Sequence, residues 1–137
     1  MSGRFSVTYA ELLADAIVGT ARAEVLRARQ NDLASSIAAI MAGSWRGRPR
    51  GDICSSGYVV HSLEAALWCV GRTSNFGDAA LLAANLADDA DTTAAITGQL
   101  AGARYGAKAM PSEWTDQLAW QEKIMAIANG LFEDSLR

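Results

Sequence analysis

The chain has few of the residues from which disulfide frameworks and Cys/His metal sites are built. Its 137 residues include only two cysteines and one histidine. Cys54 and Cys69 have neither CxxC nor metal-ligand spacing, and two cysteines do not make a disulfide framework. We therefore expect both thiols to be reduced and at least partly buried, which is usual in the cytoplasm.

The chain also lacks a basic excess and a long apolar run. Twelve Lys and Arg against fifteen Asp and Glu leave a net charge of -3, which argues against a nucleic-acid partner. The arginines that do cluster lie in WRGRPRGD, residues 45–52, where glycine and proline are typical of a solvated loop or linker. No run is apolar enough to span a bilayer and no signal-like pattern is present, so we expect a soluble cytoplasmic protein without a membrane partner.

What the sequence does have is alanine-rich helical patterning. Half of the residues are hydrophobic, whereas β-branched and aromatic runs are scarce. Apolar residues recur at helical spacing in five to six segments that short loops join. We therefore predict a single all-α, compact, bundle-like domain over residues 1–137.

Three local patterns refine this prediction. Thr8 and Glu11 have the spacing of a capping box, which predicts a helix start at Thr8. A second pattern predicts one final helix after Pro111, with a mostly apolar face. Three glycines at four-residue intervals predict the close approach of a neighbouring backbone to one helix. They are Gly98, Gly102 and Gly106.

The stretch NLADDADTTAAI, residues 85–96, places three aspartates within four positions where a helix begins. One interpretation is capping, because Asp side chains accept hydrogen bonds from the free N–H groups of a helix start. The other is a hard-cation site, in which Asp89, Asp91 and Thr92 present oxygen ligands to Mg²⁺ or Ca²⁺. It is not an EF-hand loop, since Ala94 stands at the position that requires glycine.

Other candidate catalytic groups are sparse. His61 lies beside two valines in a helical pattern and has no Ser or Cys partner in the sequence, which favours a structural role. No nucleophile motif for a Ser-His-Asp site is present. The only other adjacent acidic pair, Glu133 and Asp134, has no neighbouring motif and is typical of a solvated helix end.

Three segments resemble, in the same order, motifs of the ADP-ribosylglycohydrolase family. They are SSGYVVHSLEAALW (residues 55–68), NLADDADTTAAITGQLAGARYG (85–106) and MPSEW (110–114). LLADAIVG and IAAIMAGSWRGRPR resemble the segments that precede them, so the resemblance covers nearly the whole chain. Its most specific part is the Asp-x-Asp-Thr element followed by an Ala/Gly-rich helix. The resemblance implies an all-α fold with a cleft in which Mg²⁺ ions and ADP-ribose bind.

The same resemblance implies roles for individual residues. Asp89, Asp91 and Thr92 match the family's C-terminal metal ligands, with Mg²⁺ as the implied cofactor. Gly57 and Tyr58 match a motif that borders the ADP-ribose pocket, so we expect them to bind substrate. One position departs from the family pattern. Ala87 stands where the family usually has glycine, which removes no ligand.

The resemblance extends only to the C-terminal portion of family members, which are roughly twice as long. Their N-terminal half supplies a Thr/Ser-Asp-Asp metal cluster and an acidic catalytic residue, for which this sequence has no substitute. The catalytic residues therefore stay unassigned, and two alternatives remain open. The chain is either a Mg²⁺-dependent hydrolase acting on ADP-ribosyl groups, completed by a second copy or another chain, or a truncated non-catalytic module that binds ADP-ribose or serves a structural or interaction role.

Overall fold

A computed structural model describes residues 2–19, 21–26 and 35–137 of the chain. Within those residues the fold is all-α and contains no strand, which confirms the predicted fold class. In chain order the helices are α1 (Ser2–Ile17), α2 (Arg22–Val25), α3 (Ser35–Met41), α4 (Val59–Arg72), α5 (Phe76–Ala84), α6 (Ala90–Tyr105), α7 (Ser112–Thr115) and α8 (Gln121–Ser135). None of these described helices combines the length and apolar character that crossing a membrane requires.

Helix α4 is the centre of the core. Residues 62–70 are all buried, because apolar residues occupy nearly every side of this helix and neighbours cover it. It packs against α1, α3, α5 and α6, and α6 in turn packs against α1 and α5. Two free thiols lie in this region, Cys69 in the core and Cys54 partly buried, as the sequence predicts.

Several helix starts differ from the sequence predictions. Helix α1 begins at Ser2 and holds Thr8 as a buried residue in its interior, so the predicted capping box is wrong. The helix already runs from Ser2 through Thr8, so the local capping signal does not mark its start. The start of the second predicted helix lies outside the described residues, whereas Gly43 follows its end with a φ of 98°, as predicted.

The glycine prediction is wrong at all three positions, because no neighbouring backbone lies close to any of them. A Cβ on Gly102 would lie 3.2 Å from the Met110 side chain and 3.8 Å from that of Phe76, so side chains and not a backbone approach closely there. Gly98 faces open space, where a Cβ would meet nothing within 4 Å. Gly106 has a φ of 81° and ends α6, which is a conformation that glycine adopts without strain.

The arginine-rich segment, residues 45–52, is a loop, but it is not the free linker that its composition predicts. Trp45 is buried, and its ring lies where a Cβ on Gly71 would stand, 2.4 Å from the nearest ring carbon. The Trp68 indole donates a hydrogen bond to the Arg48 carbonyl at 2.9 Å. Arg48 also forms a 2.7 Å ion pair with Glu64, a mostly buried residue of α4. These contacts hold the loop along α4.

The C-terminal segment departs most from the sequence pattern. The single helix predicted after Pro111 is two helices, because Trp120 has a φ of 59° and interrupts the helical path between α7 and α8. Every residue from 116 to 137 is exposed. The predicted apolar face of α8 therefore exists as a row of side chains that face outward instead of entering the described core. Three of its members are Ile124, Ile127 and Leu131.

Candidate functional site

The loops that precede α4 and α6 are hydrogen-bonded to each other. The Asp89 amide donates to the Ser55 carbonyl at 3.0 Å, and the Ser55 hydroxyl donates to the Ala87 carbonyl. Ser55 is buried and holds both bonds. Two long helices thus begin side by side, and the residues at their starts form one surface. Ala87 contributes only its carbonyl and has no left-handed backbone, so the family's glycine is not needed here.

Gly57 and Asp89 are in direct contact across this junction. A Cβ on Gly57 would lie 2.6 Å from Oδ2 of Asp89, closer than a side chain could be tolerated without movement of the carboxylate. Gly57 does not have a positive φ, so the glycine is required for space and not for backbone conformation. Residues from two separate sequence motifs, 32 positions apart, therefore meet at one point.

The three acidic residues around the start of α6 do not act as a simple helix cap. Asp89 is the N-cap residue, yet its side chain makes no capping hydrogen bond. Asp91 accepts a hydrogen bond from the Thr92 amide at 2.9 Å. A hydrogen bond with the Asp89 carboxyl, and then the one from the Thr92 amide, lowers the pKa of Asp91 below its usual range. Asp88 has a left-handed φ of 64°, which turns the chain into the helix. Two carboxyls thus lie adjacent at the helix start.

This donor set fits one side of a hydrated hard cation. It consists of oxygen ligands alone, namely the Asp89 and Asp91 carboxyls and the exposed Thr92 hydroxyl one position further on. Mg²⁺ is usually held by one or two carboxylates and keeps several waters. Among residues 2–19, 21–26 and 35–137, no group of three or more His, Cys, Asp or Glu side chains is placed to hold a metal. Any cation bound here would therefore take its remaining ligands from elsewhere.

Tyr58 and His61 form the other side of the junction. Their rings meet edge to face, with centroids 5.2 Å apart, and the Tyr58 side chain is half exposed. His61 Nδ1 lies 2.7 Å from the Ser56 hydroxyl. The sequence prediction that His61 has no serine partner is therefore wrong. The two residues flank a helix start five positions apart, and that spacing was the signal available to find the pair.

The structure brings all five predicted site residues to one surface. Gly57 and Tyr58 immediately precede α4, while Asp89, Asp91 and Thr92 form the start of α6. A carboxylate pair and an exposed tyrosine thus lie at the shared ends of two helices in an all-α fold. The profile of one family, ADP-ribosylglycohydrolase, matches residues 4–137, and the chain belongs to that family.

Curated relatives carry the same family name or activity. The chain is 49% identical over 118 residues to ADP-ribosylarginine hydrolase Tri1 of Pseudomonas putida (strain GB-1), a match that covers 86% of this chain and 32% of that protein. It is 47% identical over 116 residues to Tri1 of Serratia proteamaculans (strain 568), with 85% and 32% coverage. The ADP-ribosyl-[dinitrogen reductase] glycohydrolase of Rhodospirillum rubrum is 39% identical over 64 residues, with 47% and 22% coverage.

A solved structure agrees with the assignment. A chain described as an ADP-ribosylglycohydrolase-related protein complex superposes with a TM-score of 0.85 at 35% identity. The match covers 95% of the present chain and 46% of the solved one. The present chain thus spans about a third of the Tri1 proteins and about half of the solved chain. Fold and family are therefore established.

Proposed function

We propose that the surface formed by residues 55–58 and 87–92 is part of a Mg²⁺-dependent site that hydrolyses ADP-ribosyl groups attached to arginine. The contact between Gly57 and Asp89 carries this proposal. It brings the Gly57–Tyr58 motif, which resembles the border of the family's ADP-ribose pocket, next to the carboxylate pair. The arginine linkage in this proposal is based on two relatives that are named ADP-ribosylarginine hydrolases. A third relative is named for an ADP-ribosylated protein, dinitrogen reductase.

In this proposal each residue has a distinct task. Asp89 and Asp91 hold Mg²⁺ through their adjacent carboxyls, and Thr92 contributes its hydroxyl. The cation, when bound, supplies Lewis-acid stabilisation beside the anomeric carbon. Tyr58 offers an exposed aromatic face to the ribose or base, and its ring is held edge-on by His61. No described residue here is assigned as the catalytic acid or base.

We also propose that a second chain completes the site. Two carboxyls and a hydroxyl leave most coordination positions to water, and Mg²⁺ loses its hydration shell reluctantly. A further set of oxygen ligands facing Asp89 would hold the cation more firmly, and either a second copy or a complementing chain is able to supply it. Analytical ultracentrifugation with Mg²⁺ and ADP-ribose tests the first source. A rise in mass indicates a second copy, and an unchanged mass together with tight binding contradicts the need for completion.

A cytoplasmic location is part of the same proposal. Cys54 and Cys69 are both free thiols, which is the state that a reducing compartment maintains. Localisation of a tagged chain by fractionation tests it, and recovery with secreted or membrane fractions would contradict it.

The first experiment is a calorimetric titration of the chain with ADP-ribose, with and without Mg²⁺. We expect saturable heat that requires Mg²⁺ and that the isosteric variant Asp91→Asn loses. Asp134→Asn is the matched control, because Asp134 is an exposed carboxylate at the far end of α8 and pairs only with Arg137 among the described ion pairs. Binding that is absent in the unmodified chain, or that survives in Asp91→Asn, would reject the site.

A further inference from the structure

Three neighbouring hollows of about 220, 580 and 460 Å³ lie between the arginine-rich loop and the acidic junction. Arg72 lines both the first and the second, and Arg50 and Asn85 line both the second and the third. The third ends at Ala87 and Asp88, next to Asp89. We call this feature the arginine groove.

The walls of the arginine groove carry three arginines and two aspartates, Asp78 and Asp88, and none of these arginines forms an ion pair within the described residues. Arg46, Arg50 and Arg72 line it, whereas ion pairs within the described residues involve only Arg48 and Arg137. This concentration is notable in a chain whose net charge is -3. A local field of this kind attracts anionic groups although the whole protein repels them.

Each of the three guanidinium groups is already held in place. Arg72 lies over the Trp68 ring at 5.0 Å, and Arg46 lies over the Trp45 ring at 5.1 Å. Arg50 donates a hydrogen bond to the Asn85 carbonyl across the groove.

These contacts leave most of the binding capacity of the groups unused. A guanidinium has five N–H donors, so most donors of each group remain after these contacts. Because the Arg48–Glu64 pair also fixes the loop on α4, a ligand would bind with little further loss of conformational freedom.

We propose that the arginine groove binds an acidic polypeptide segment, namely the stretch of an ADP-ribosylated substrate protein that lies beside the modified residue. Carboxylates suit this surface because guanidinium groups bind them through two parallel hydrogen bonds. The groove ends at the candidate site, so a segment lying in it leads the modified side chain to Asp89. The inference rests on the proposed function for the origin of the peptide, but the binding itself needs neither Mg²⁺ nor ADP-ribose.

The lining favours a peptide over a nucleic acid. Asp78 and Asp88 line the same groove as Arg50, and Leu81 and Leu82 give it an apolar wall. A phosphate backbone carries uniform negative charge and would meet these carboxylates at short intervals. A peptide places its acidic residues between apolar and neutral ones, which matches a wall of mixed character.

Fluorescence anisotropy tests the proposal with a fluorescein-labelled octapeptide of alternating glutamate and leucine. The counterpart with glutamine in place of glutamate measures the apolar contribution alone. We expect the acidic peptide to bind more tightly, with an affinity that falls as salt is raised. Arg50→Gln and Arg72→Gln should each weaken binding by about three- to fivefold, which is the range for partly exposed charge pairs. Arg137→Gln removes the same charge beyond the end of α8 and should leave the affinity unchanged.

The alternatives have distinct outcomes. Equal binding of the two peptides, equal affinity in the two groove variants and the unmodified chain, or loss of binding in Arg137→Gln would each overturn the proposal. Tighter, groove-dependent binding of a labelled DNA oligonucleotide would replace it with a nucleic-acid surface. Circular dichroism verifies that each variant is folded. If a variant is not folded, the salt dependence of peptide binding to the unmodified chain still tests the proposal. Because the assay contains no Mg²⁺ or ADP-ribose, it succeeds or fails independently of the hydrolase proposal.

Discussion

The Asp89 carboxylate lies against the position that a Cβ on Gly57 would take, and the distance from that Cβ to Oδ2 of Asp89 would be 2.6 Å. We predict that Gly57→Ala displaces this carboxylate and weakens Mg²⁺ binding by about tenfold, a cost of roughly 1.4 kcal/mol. A Mg²⁺ titration by calorimetry measures the change. Gly98→Ala is the control, because a Cβ there meets nothing within 4 Å. Unaltered Mg²⁺ affinity in Gly57→Ala would show that the carboxylate has no role in holding the cation.

Mg²⁺ should perturb one turn of the chain in particular. We predict that a titration followed by NMR shifts the amide signals of Asp89, Asp91 and Thr92, because the Thr92 amide already hydrogen-bonds to the Asp91 carboxylate. Asp78 is the internal reference, since it lies in the first turn of α5 and is bonded to Asn75 instead. If the three signals stay unmoved while Mg²⁺ is saturating, the assignment of metal ligands is wrong.

Two glycine substitutions should change stability in opposite directions. Gly71→Ala places a methyl group 2.4 Å from the Trp45 ring, so we predict a loss of about 1–3 kcal/mol from overpacking. Gly98→Ala adds a methyl group in open space within α6, where alanine favours the helix by about 1 kcal/mol. Urea denaturation of both variants measures the free energies of unfolding. A stabilised Gly71→Ala variant would mean that Trp45 does not pack against α4.

The buried thiol of Cys69 should make the folded state sensitive to alkaline pH. Burial raises the pKa of Cys69 from 9.0 to about 12, an effect that the positive charge of Arg50 partly opposes. The unfolded chain therefore loses this proton at lower pH than the folded chain. The stabilising contribution of the buried Cys69 thiol is complete below pH 9. As the pH rises from 9 towards 12, the free energy of unfolding falls by about 1.4 kcal/mol per pH unit.

Denaturation at several alkaline pH values measures this slope. The slope of the unfolding free energy against pH should become shallower in Cys69→Ala and stay unchanged in Cys54→Ala. Burial also raises the pKa of Tyr9, whose hydroxyl donates to the Ile96 carbonyl at 2.7 Å, so some slope persists in both variants. In the native protein at neutral pH, a thiol reagent should modify Cys54 well before Cys69, which is fully buried. Equal slopes in the two variants would contradict the assignment to Cys69.

The local sequence was sufficient for the fold class and for the start of α6, at which three candidate site residues lie. Alanine-rich patterning predicts helices, and the Asp-x-Asp-Thr element marks the start of α6. The contact of Gly57 with Asp89 was not predictable from pattern, because it depends on how two loops pack after the helices dock. The same holds for the bond between Arg48 and Glu64, which converts a loop of linker-like composition into a fixed wall.

The errors at the two ends of the chain both concern helix boundaries. Thr8 carries a local capping signal, yet it lies inside α1, which begins at Ser2. At the other end the periodicity of residues 112–131 continues across Trp120, whose left-handed backbone no periodicity records. Patterns within a short window describe what a segment prefers, and they do not fix the residues at which a helix begins and ends.

The hydrogen bonds of Ser55 set the positive ends of two helix dipoles side by side. Each long helix carries roughly half a positive charge at its N-terminus, so α4 and α6 together concentrate about one unit of charge at this junction. The aspartates before α6 offset it. These carboxylates therefore stabilise the folded chain itself as well as any cation bound beside them. A variant that neutralises one of them will change the free energy of unfolding and the binding affinity at the same time.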